Sequence, residues 1–546
     1  MYQYTECRIS YQLVTFIHFQ SRIFAAAKKI NIVFMKDSID FGNMEIPRLF
    51  RKLLIPTVLG MVFSAVFVIT DGIFVGKGIG SDALAAVNIT APLFMITTGI
   101  GLMFGVGASV VASIHLSQGK RKVASINITQ ALAFSALLIL VLSSLCCYFA
   151  EPIGRLLGSS ERLLPLVVEY MNWYVPFLVF YLLLSAGMFY IRLDGSPNYA
   201  MMCNAVSAII NIILDYVFIF QLGWGMMGAA FATSLGTMVG GLMTLIYLLR
   251  FSRNVGIYRI KLSRKSMRLT CRNIGYMIRL GSSAFISEAS IASMMFLGNY
   301  VFISHLGESG VAAFSIVCYF FPIIFMVYNA IAQSVQPIIS YNFGQQNPGR
   351  VARTIRLALK TALGCGIFFF AATLVFNHQI VGLFIDKSYQ AYDIAVNGIP
   401  YFAVGYLFFA LNIVGIGYYQ SIERARRATV ITLFRGTLFM LAGFLLLPPV
   451  LGVRGIWLAV PLAELLTLLL IIGIYLKDFR RSPMIRIFAS FKQMQRVLWK
   501  HLLKSSETAI IFQKTTRKPC SAIWRRSVSK RKKSSSMKAP KTEICI

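Results

Sequence analysis

The residues with the clearest capacity for chemistry are acids that lie inside long apolar stretches: Asp71, Asp215, Glu288 and Glu464. An ionised carboxylate is costly to bury in hydrocarbon, so each of them must bind a proton, a cation or a basic side chain to be tolerated. The sequence therefore indicates ion binding as the chemistry of this chain.

Asp71, Asp215 and Thr233 fall at one depth when the stretches around them are read as membrane-spanning helices. At 1.5 Å per residue, each lies roughly 8–10 Å beneath the outer membrane face. Asn211 precedes Asp215 by one helical turn and shares its face. Such oxygen ligands suit a hard cation such as Na⁺, and one of two carboxylates in a dry pocket could instead carry a proton. The alternative is that Asp71 only reaches the interface and Asp215 accepts a hydrogen bond within a helix.

Glu288 lies deeper, in the seventh apolar stretch, and is followed by Ser290 and Ser293. It could face a cavity and attract a cationic substrate, or it could be a protonated carboxyl bonded to a neighbouring helix. Glu464 and Arg435 stand in the last two apolar stretches and could pair, an arrangement that is more often structural than catalytic.

Catalytic and cofactor motifs are absent from the sequence. It contains neither HExxH nor GxSxG, and none of its nine cysteines belongs to a CxxC pair. We expect a protein that is not an enzyme, that needs no cofactor, and whose only bound ion is Na⁺ or H⁺.

The elements that carry these residues are predicted to be transmembrane helices. Of 546 residues, 57% are hydrophobic and only 13% are charged, whereas soluble domains are about a quarter charged. The apolar blocks are continuous and long enough to cross the membrane as helices, so we predict an all-α integral membrane protein. About twelve spans are expected, over residues 53–75, 84–112, 126–149, 164–191, 198–220, 226–250, 275–304, 311–340, 355–377, 393–420, 427–447 and 454–476.

Positive charge alternates between successive loops. It is concentrated before the first span, at 120–122, at 424–427 and above all from Arg250 to Arg279, which contains nine cations. The positive-inside rule then places both termini in the cytoplasm of a cell, with the protein as a multi-pass component of the inner or plasma membrane.

A two-fold internal repeat with an offset of 227 residues divides the chain. Gly80 corresponds to Gly307, and Gly228 corresponds to Gly455. Two halves of six spans that start on one side are parallel repeats, with a site between or within them. The predicted organisation is an N-terminal extension, a first lobe, a cytoplasmic inter-lobe loop, a second lobe and a tail, at residues 1–45, 46–250, 251–274, 275–478 and 479–546.

The net charge of +33 does not predict nucleic-acid binding, because about half of the excess lies in the tail. From Phe479 to Ile546 the chain has 18 Lys or Arg and 2 Asp or Glu. We expect this tail to be disordered or to lie on anionic membrane lipid, and we expect no nucleic-acid partner.

Several stretches resemble the multidrug and toxic-compound extrusion (MATE) family, over about residues 46–478. The most specific are TDGIFVGKGIGSDALAAVNITAP at 70–92 and NIILDYVFIFQLGWGMMGAAFATSLG at 211–236. The pattern is most similar to the branch with the DNA-damage-inducible and staphylococcal multidrug exporters. The resemblance implies a cation site in the first lobe, made by Asp71, Asn211, Asp215 and Thr233.

Another branch of the family uses a second-lobe site with a Glu in span 7 and an Asp in span 10. Glu288 matches the first of these, but the predicted span 10 contains no acid. The resemblance thus implies a cation-coupled antiporter that exports small amphipathic, often cationic, compounds and acts as a monomer. The alternatives are a lipid-linked-sugar flippase of the wider superfamily and an exporter of an endogenous metabolite.

The topology can be tested at residue 262, within the predicted cytoplasmic loop. In a cysteine-free background, Leu262→Cys should stay unmodified when intact cells are treated with a membrane-impermeant thiol reagent, because the membrane shields it. Strong labelling in intact cells would overturn the predicted orientation.

Overall fold

The computed structural model describes residues 39–259 and 263–481, and this part of the chain is all helical with no strand. The first lobe contains spans 1 to 6. These are Ile46–Gly78, Ser81–Ser117, Arg121–Tyr148, Leu164–Leu193, Pro197–Gln221 and Gly225–Phe251. The predicted extension before residue 39 and the tail after residue 481 lie outside the described residues.

The second lobe begins with a continuous helical assignment, Arg264–Gly344, that contains two spans. Its 81 residues would extend about four membrane thicknesses at 1.5 Å per residue. Gly307 breaks the helix with φ 63° and ψ −157°, a conformation that glycine adopts without steric cost. Residues 264–306 therefore form span 7 and residues 308–344 form span 8.

The remaining spans complete the twelve that the sequence predicts. Span 10 is bent by 42° between its two helices. Short helices at Ala150–Leu156 and Asn377–Gly382 connect spans 3 to 4 and 9 to 10. Spans 9 to 12 are Pro348–Val375, Gln390–Ala403 with Gly405–Ser421, Ala425–Leu451 and Val453–Arg481.

The backbone supports the predicted repeat. Span 6 begins at Gly225 with φ 55°, and span 12 follows Gly452 with φ 56°. These two left-handed glycines are 227 residues apart, the offset read from the sequence. Each reverses the chain between a fifth and a sixth helix, so the two lobes share one connection geometry.

The lobes pack against each other through spans 2, 7 and 8. A Cβ atom on Gly107 would collide with the Met277 carbonyl, and one on Gly281 would collide with the Met103 carbonyl. Small residues at such crossings allow two helix backbones to approach closely. The Ser113 hydroxyl also donates to the Pro337 carbonyl at 3.3 Å. These contacts lie in the halves of the spans that the charge pattern assigns to the cytoplasm.

The inter-lobe loop is shorter than the predicted 251–274. Ser263 caps a helix that begins at Arg264, its hydroxyl accepting from the Ser266 amide, so the basic stretch after residue 263 is helical. The loop is fixed to the first lobe by Asp194, between spans 4 and 5. Its carboxylate accepts hydrogen bonds from the backbone amides of Arg253, Asn254 and Val255 and from the Tyr247 hydroxyl. The donor–acceptor distances of these bonds are 2.6–3.2 Å.

Asp194 should therefore control the mobility of the loop. Burial raises the pKa of its carboxyl, and the hydrogen bonds that it accepts offset only part of that effect. Asp194→Ala removes the acceptor for three amides, at a cost of about 1–3 kcal/mol in local stability. Hydrogen exchange at residues 253–255 should become roughly 5-fold to 150-fold faster, the equivalent of that free energy.

The control for this prediction is Asp82→Ala. Asp82 bonds only the exposed Arg162 side chain, at 2.7 Å, and exposed ion pairs contribute about 0–1 kcal/mol. Unchanged exchange at 253–255 in Asp194→Ala would show that other contacts hold the loop.

Candidate functional site

The structure brings together the four residues that the sequence assigns to a cation site in the first lobe. The Thr233 hydroxyl donates to Asp71 Oδ1 at 3.3 Å, and the Asn211 amide donates to the Thr233 hydroxyl at 3.4 Å. The Asp215 carboxyl neighbours that of Asp71. Spans 1, 5 and 6 thus each supply at least one oxygen to a single cluster.

Three oxygen atoms of this cluster have no hydrogen-bond partner among the residues that the structure describes. They are Oδ1 of Asn211 and both carboxylate oxygens of Asp215, and both residues are fully buried. Unpaired buried acceptors are costly and uncommon. Carboxylate, amide and hydroxyl oxygens are the donor set of a hard cation such as Na⁺, and a proton on one carboxyl would also satisfy part of the group.

Helix packing accounts for the position of these side chains. Gly236 lets span 6 approach span 5, since a Cβ there would lie 2.8 Å from the Ser207 carbonyl and 2.9 Å from the Asn211 Cβ. The Asn204 amide donates to the Gly60 carbonyl at 3.4 Å, which joins span 5 to span 1. Span 5 changes to a π-helix directly after Asp215, over Tyr216–Gln221, a distortion that is frequent at functional sites.

Two buried tyrosines of span 4 belong to this region, and sequence reasoning missed them. Tyr170 lies close enough to Asp71 and Asp215 to interact with their charges. Its ring centroid is 5.5 Å from that of Tyr174, whose buried hydroxyl has no hydrogen-bond partner within the described part of the chain. The only available signal was their spacing of one helical turn, which many apolar spans show.

Glu288 lies outside this cluster, at a small cavity between the lobes. The cavity has a volume of about 50 Å³, enough for a few water molecules. Spans 2, 4, 7, 8 and 10 line it, and no lysine or arginine is among its lining residues. Its polar lining consists of Ser287, Glu288, Asn329, Gln333, Gln336 and Gln420. The geometry therefore agrees with the expectation that Glu288 faces a cavity.

Arg435 and Glu464 form the ion pair that the sequence suggested. Arg435 Nε donates to Glu464 Oε1 at 2.7 Å, and both side chains are buried. The Asn412 amide donates to the other carboxylate oxygen at 2.7 Å. This second polar cluster lies within spans 10, 11 and 12.

No cluster of three or more His, Cys, Asp or Glu side chains that could hold a metal ion occurs within residues 39–259 and 263–481. Any Na⁺ at the first-lobe cluster would depend on the Asn211 and Thr233 oxygens as well as the two carboxylates.

Comparisons with known proteins agree with this architecture. The MatE family model matches residues 56–217 and again residues 284–445, one match in each lobe. Because the matches cover more than half of the chain, the protein belongs to the MATE family of membrane transporters.

Two relatives illustrate the range of the family. An FAD transporter of Shewanella oneidensis is 28% identical over 447 residues, which cover 79% of this chain and 95% of the relative. The multidrug export protein MepA of Staphylococcus aureus is 26% identical over 425 residues, which cover 75% and 89%.

Solved structures share the fold. An outward-facing multidrug-resistance MATE transporter of the MOP superfamily superposes with a TM-score of 0.74 at 22% identity, covering 80% of this chain and 98% of that one. A variant of the MATE transporter VcmN of Vibrio cholerae gives a TM-score of 0.74 at 19% identity, with 81% and 98% covered.

Proposed function

We propose that this chain is an antiporter that exchanges Na⁺ or H⁺ for amphipathic, often cationic, compounds and exports them across the cell membrane by alternating access. Both termini face the cytoplasm, and the protein acts as a monomer surrounded by membrane lipid. The observation that carries the proposal is the pair of neighbouring carboxyls, Asp71 and Asp215, in a cluster of unsatisfied oxygens.

The cluster needs an external positive charge. Within the described residues, neither Asp71 nor Asp215 forms an ion pair with a lysine or arginine. Two uncompensated carboxylates would repel each other across a dry site, so a cation or a proton must bind for the site to stay buried. Asp71, Asn211, Asp215 and Thr233 are therefore the proposed coupling residues.

Cation binding can be coupled to transport because three helices share the site. A cation bound between spans 1, 5 and 6 favours the packing that brings their oxygens together, whereas the unoccupied site favours separation of like charges. If the exported compound prefers the second packing, the cation and the compound compete through linkage, without sharing a site.

The cavity between the lobes is the proposed place of substrate recognition. Glu288 is the charged residue in its lining, and its neighbours there are amides and apolar side chains. That set suits a cation with hydrogen-bonding groups. Repacking of the lobes must enlarge the cavity, because about 50 Å³ is far too small for a drug.

A second candidate, export of an endogenous metabolite, is favoured by the similarity to an FAD transporter. FAD carries two phosphates, which basic groups bind best. The absence of lysine and arginine from the cavity lining argues against such a ligand at this place. The same absence argues against a lipid-linked sugar with its phosphate.

Removing either coupling carboxylate should abolish gradient-driven efflux. Asp71→Asn and Asp215→Asn should each insert normally, since a neutral amide is cheaper to bury than a carboxylate. Both should still bind ethidium, but efflux driven by an imposed Na⁺ or pH gradient should fall by about tenfold or more, the usual size of a lost coupling free energy.

The measurement is ethidium efflux from vesicles under separate Na⁺ and pH gradients, which also identifies the coupling ion. Asp82→Asn, in an exposed ion pair with Arg162, is the matched control and should transport nearly as wild type does. Wild-type rates in both Asp71→Asn and Asp215→Asn would refute the coupling assignment.

Glu288→Gln should change substrate preference. Without the carboxylate, export of cationic compounds should weaken by roughly tenfold, equivalent to about 1.4 kcal/mol of lost attraction, while neutral compounds should be affected little. Resistance profiles of cells are the measurement, with Glu308→Gln at the exposed Glu308 as the control. An equal loss for cationic and neutral compounds would mean that Glu288 only supports the fold.

A further inference from the structure

The second lobe satisfies its buried carboxylate internally. Glu464 receives the Arg435 guanidinium on one oxygen and the Asn412 amide on the other, each at 2.7 Å. The exposed fractions of the Arg435 and Glu464 side chains are 4% and 1%. The Arg435 guanidinium also lies 4.5 Å from the centre of the Phe409 ring, which adds a cation–π contact.

The internal repeat relates this cluster to the coupling site of the first lobe. With the offset of 227 residues, Arg435 corresponds to Ala208 in span 5, and Glu464 corresponds to Thr237 in span 6. Ala208 lies about one helical turn from Asn211, and the Thr237 hydroxyl donates to the Thr233 carbonyl at 3.0 Å. Both lobes therefore bury a polar cluster between their fifth and sixth spans, offset by one turn.

The charges of the two clusters differ. At the repeat-related positions of Asp71, Asn211, Asp215 and Thr233, the second lobe has residues without polar side chains. They are Gly298, Leu438, Ala442 and Val460. Within the described residues, the first-lobe cluster thus has two acids and no paired base, whereas the second-lobe cluster has one acid and one base.

We propose that Arg435 is a resident counter-cation. It gives Glu464 the positive charge that the first lobe takes from an exchangeable cation, so that spans 10, 11 and 12 keep one packing throughout transport. The comparison of Arg435 with an exchangeable cation in the first lobe rests on the function proposed above, whereas the pairing of Arg435 with Glu464 does not. Arg435 is a positioning residue, since it does not line the cavity where substrate is expected to bind.

The cluster is connected to two walls of that cavity. Asn412 precedes Ile413 of span 10, which lines the cavity. Gly436, next to Arg435, packs so closely on Ser290 of span 7 that a Cβ would collide with the serine side chain. Ser290 is two residues from Glu288. Span 11 therefore packs through Gly436 on the helix that carries Glu288, and Arg435 joins the same span to span 12 through Glu464 and, through Asn412, to span 10.

The test is to remove Arg435 and to measure whether the second lobe then binds a cation or a proton from solution. The full chain is purified in detergent with Asp71→Asn and Asp215→Asn, which removes the first-lobe carboxylates. Binding of ²²Na⁺ is measured by scintillation proximity, and proton uptake is measured with a pH indicator after an acid jump. Adding Arg435→Met should increase the bound Na⁺ or H⁺ by about one per protein, because Glu464 then lacks its counter-cation.

Two further variants separate charge compensation from packing. Arg435→Lys keeps a positive charge and should bind no additional cation. Adding Glu464→Gln to Arg435→Met should abolish the additional binding, because no carboxylate remains. A monodisperse Arg435→Met protein that takes up neither extra Na⁺ nor extra protons would overturn the proposal.

If Arg435→Met does not fold, the double variant Arg435→Met/Glu464→Gln shows whether the defect is the uncompensated carboxylate or the lost packing. Recovery of a monodisperse protein would support the proposal, since an uncompensated carboxylate was then the defect. A double variant as damaged as the single one would contradict it. The coupling site is tested separately, by comparing cation binding of the wild type with that of Asp71→Asn/Asp215→Asn.

Discussion

The cost of an ionised carboxylate in hydrocarbon is the constraint on which this structure depends, because Asp71 and Asp215 of the first lobe and Glu464 of the second lie among apolar helices, where a bare negative charge is costly. The first lobe leaves the Asp215 oxygens and Asn211 Oδ1 unsatisfied, whereas the second lobe provides Arg435 for Glu464. The two lobes share one fold but differ in how a buried carboxylate is compensated: the second lobe uses an arginine side chain, and the first-lobe cluster contains none. In the proposed function, the compensation in the first lobe comes from an exchangeable cation or proton, and this requirement would let that lobe respond to an ion gradient.

Close helix packing joins the charged sites to the rest of the molecule. Glycines allow backbones to touch where spans 2 and 7 cross, and where span 11 meets span 7 at Gly436. Packed helices of this kind move as units, because a tightly filled interface has few intermediate arrangements. In the proposed function, binding or release of a cation between spans 1, 5 and 6 would therefore move whole helices.

The two lobes meet in the halves of spans 2, 7 and 8 that carry the Gly107–Met277 and Ser113–Pro337 contacts. The cavity with Glu288 lies among the same spans. In the proposed alternating-access cycle, a substrate path through this region requires those contacts to break on one side of the membrane and others to form on the opposite side. The cavity is small in this arrangement, which is consistent with a site that becomes large enough for substrate only when the lobes separate.

The sequence alone determined the fold class, the number of spans, the repeat and the residues of the first-lobe cluster, because membrane insertion imposes long apolar helices and makes buried charges conspicuous. It also pointed to the pairing of Arg435 with Glu464. Only the tertiary structure decided that Tyr170 and Tyr174 lie beside the first-lobe cluster, that Asp194 holds the inter-lobe loop, and that Asn412 completes the second cluster. These residues meet partners from other spans, and a sequence specifies which face of a helix is polar but not which neighbour that face will contact.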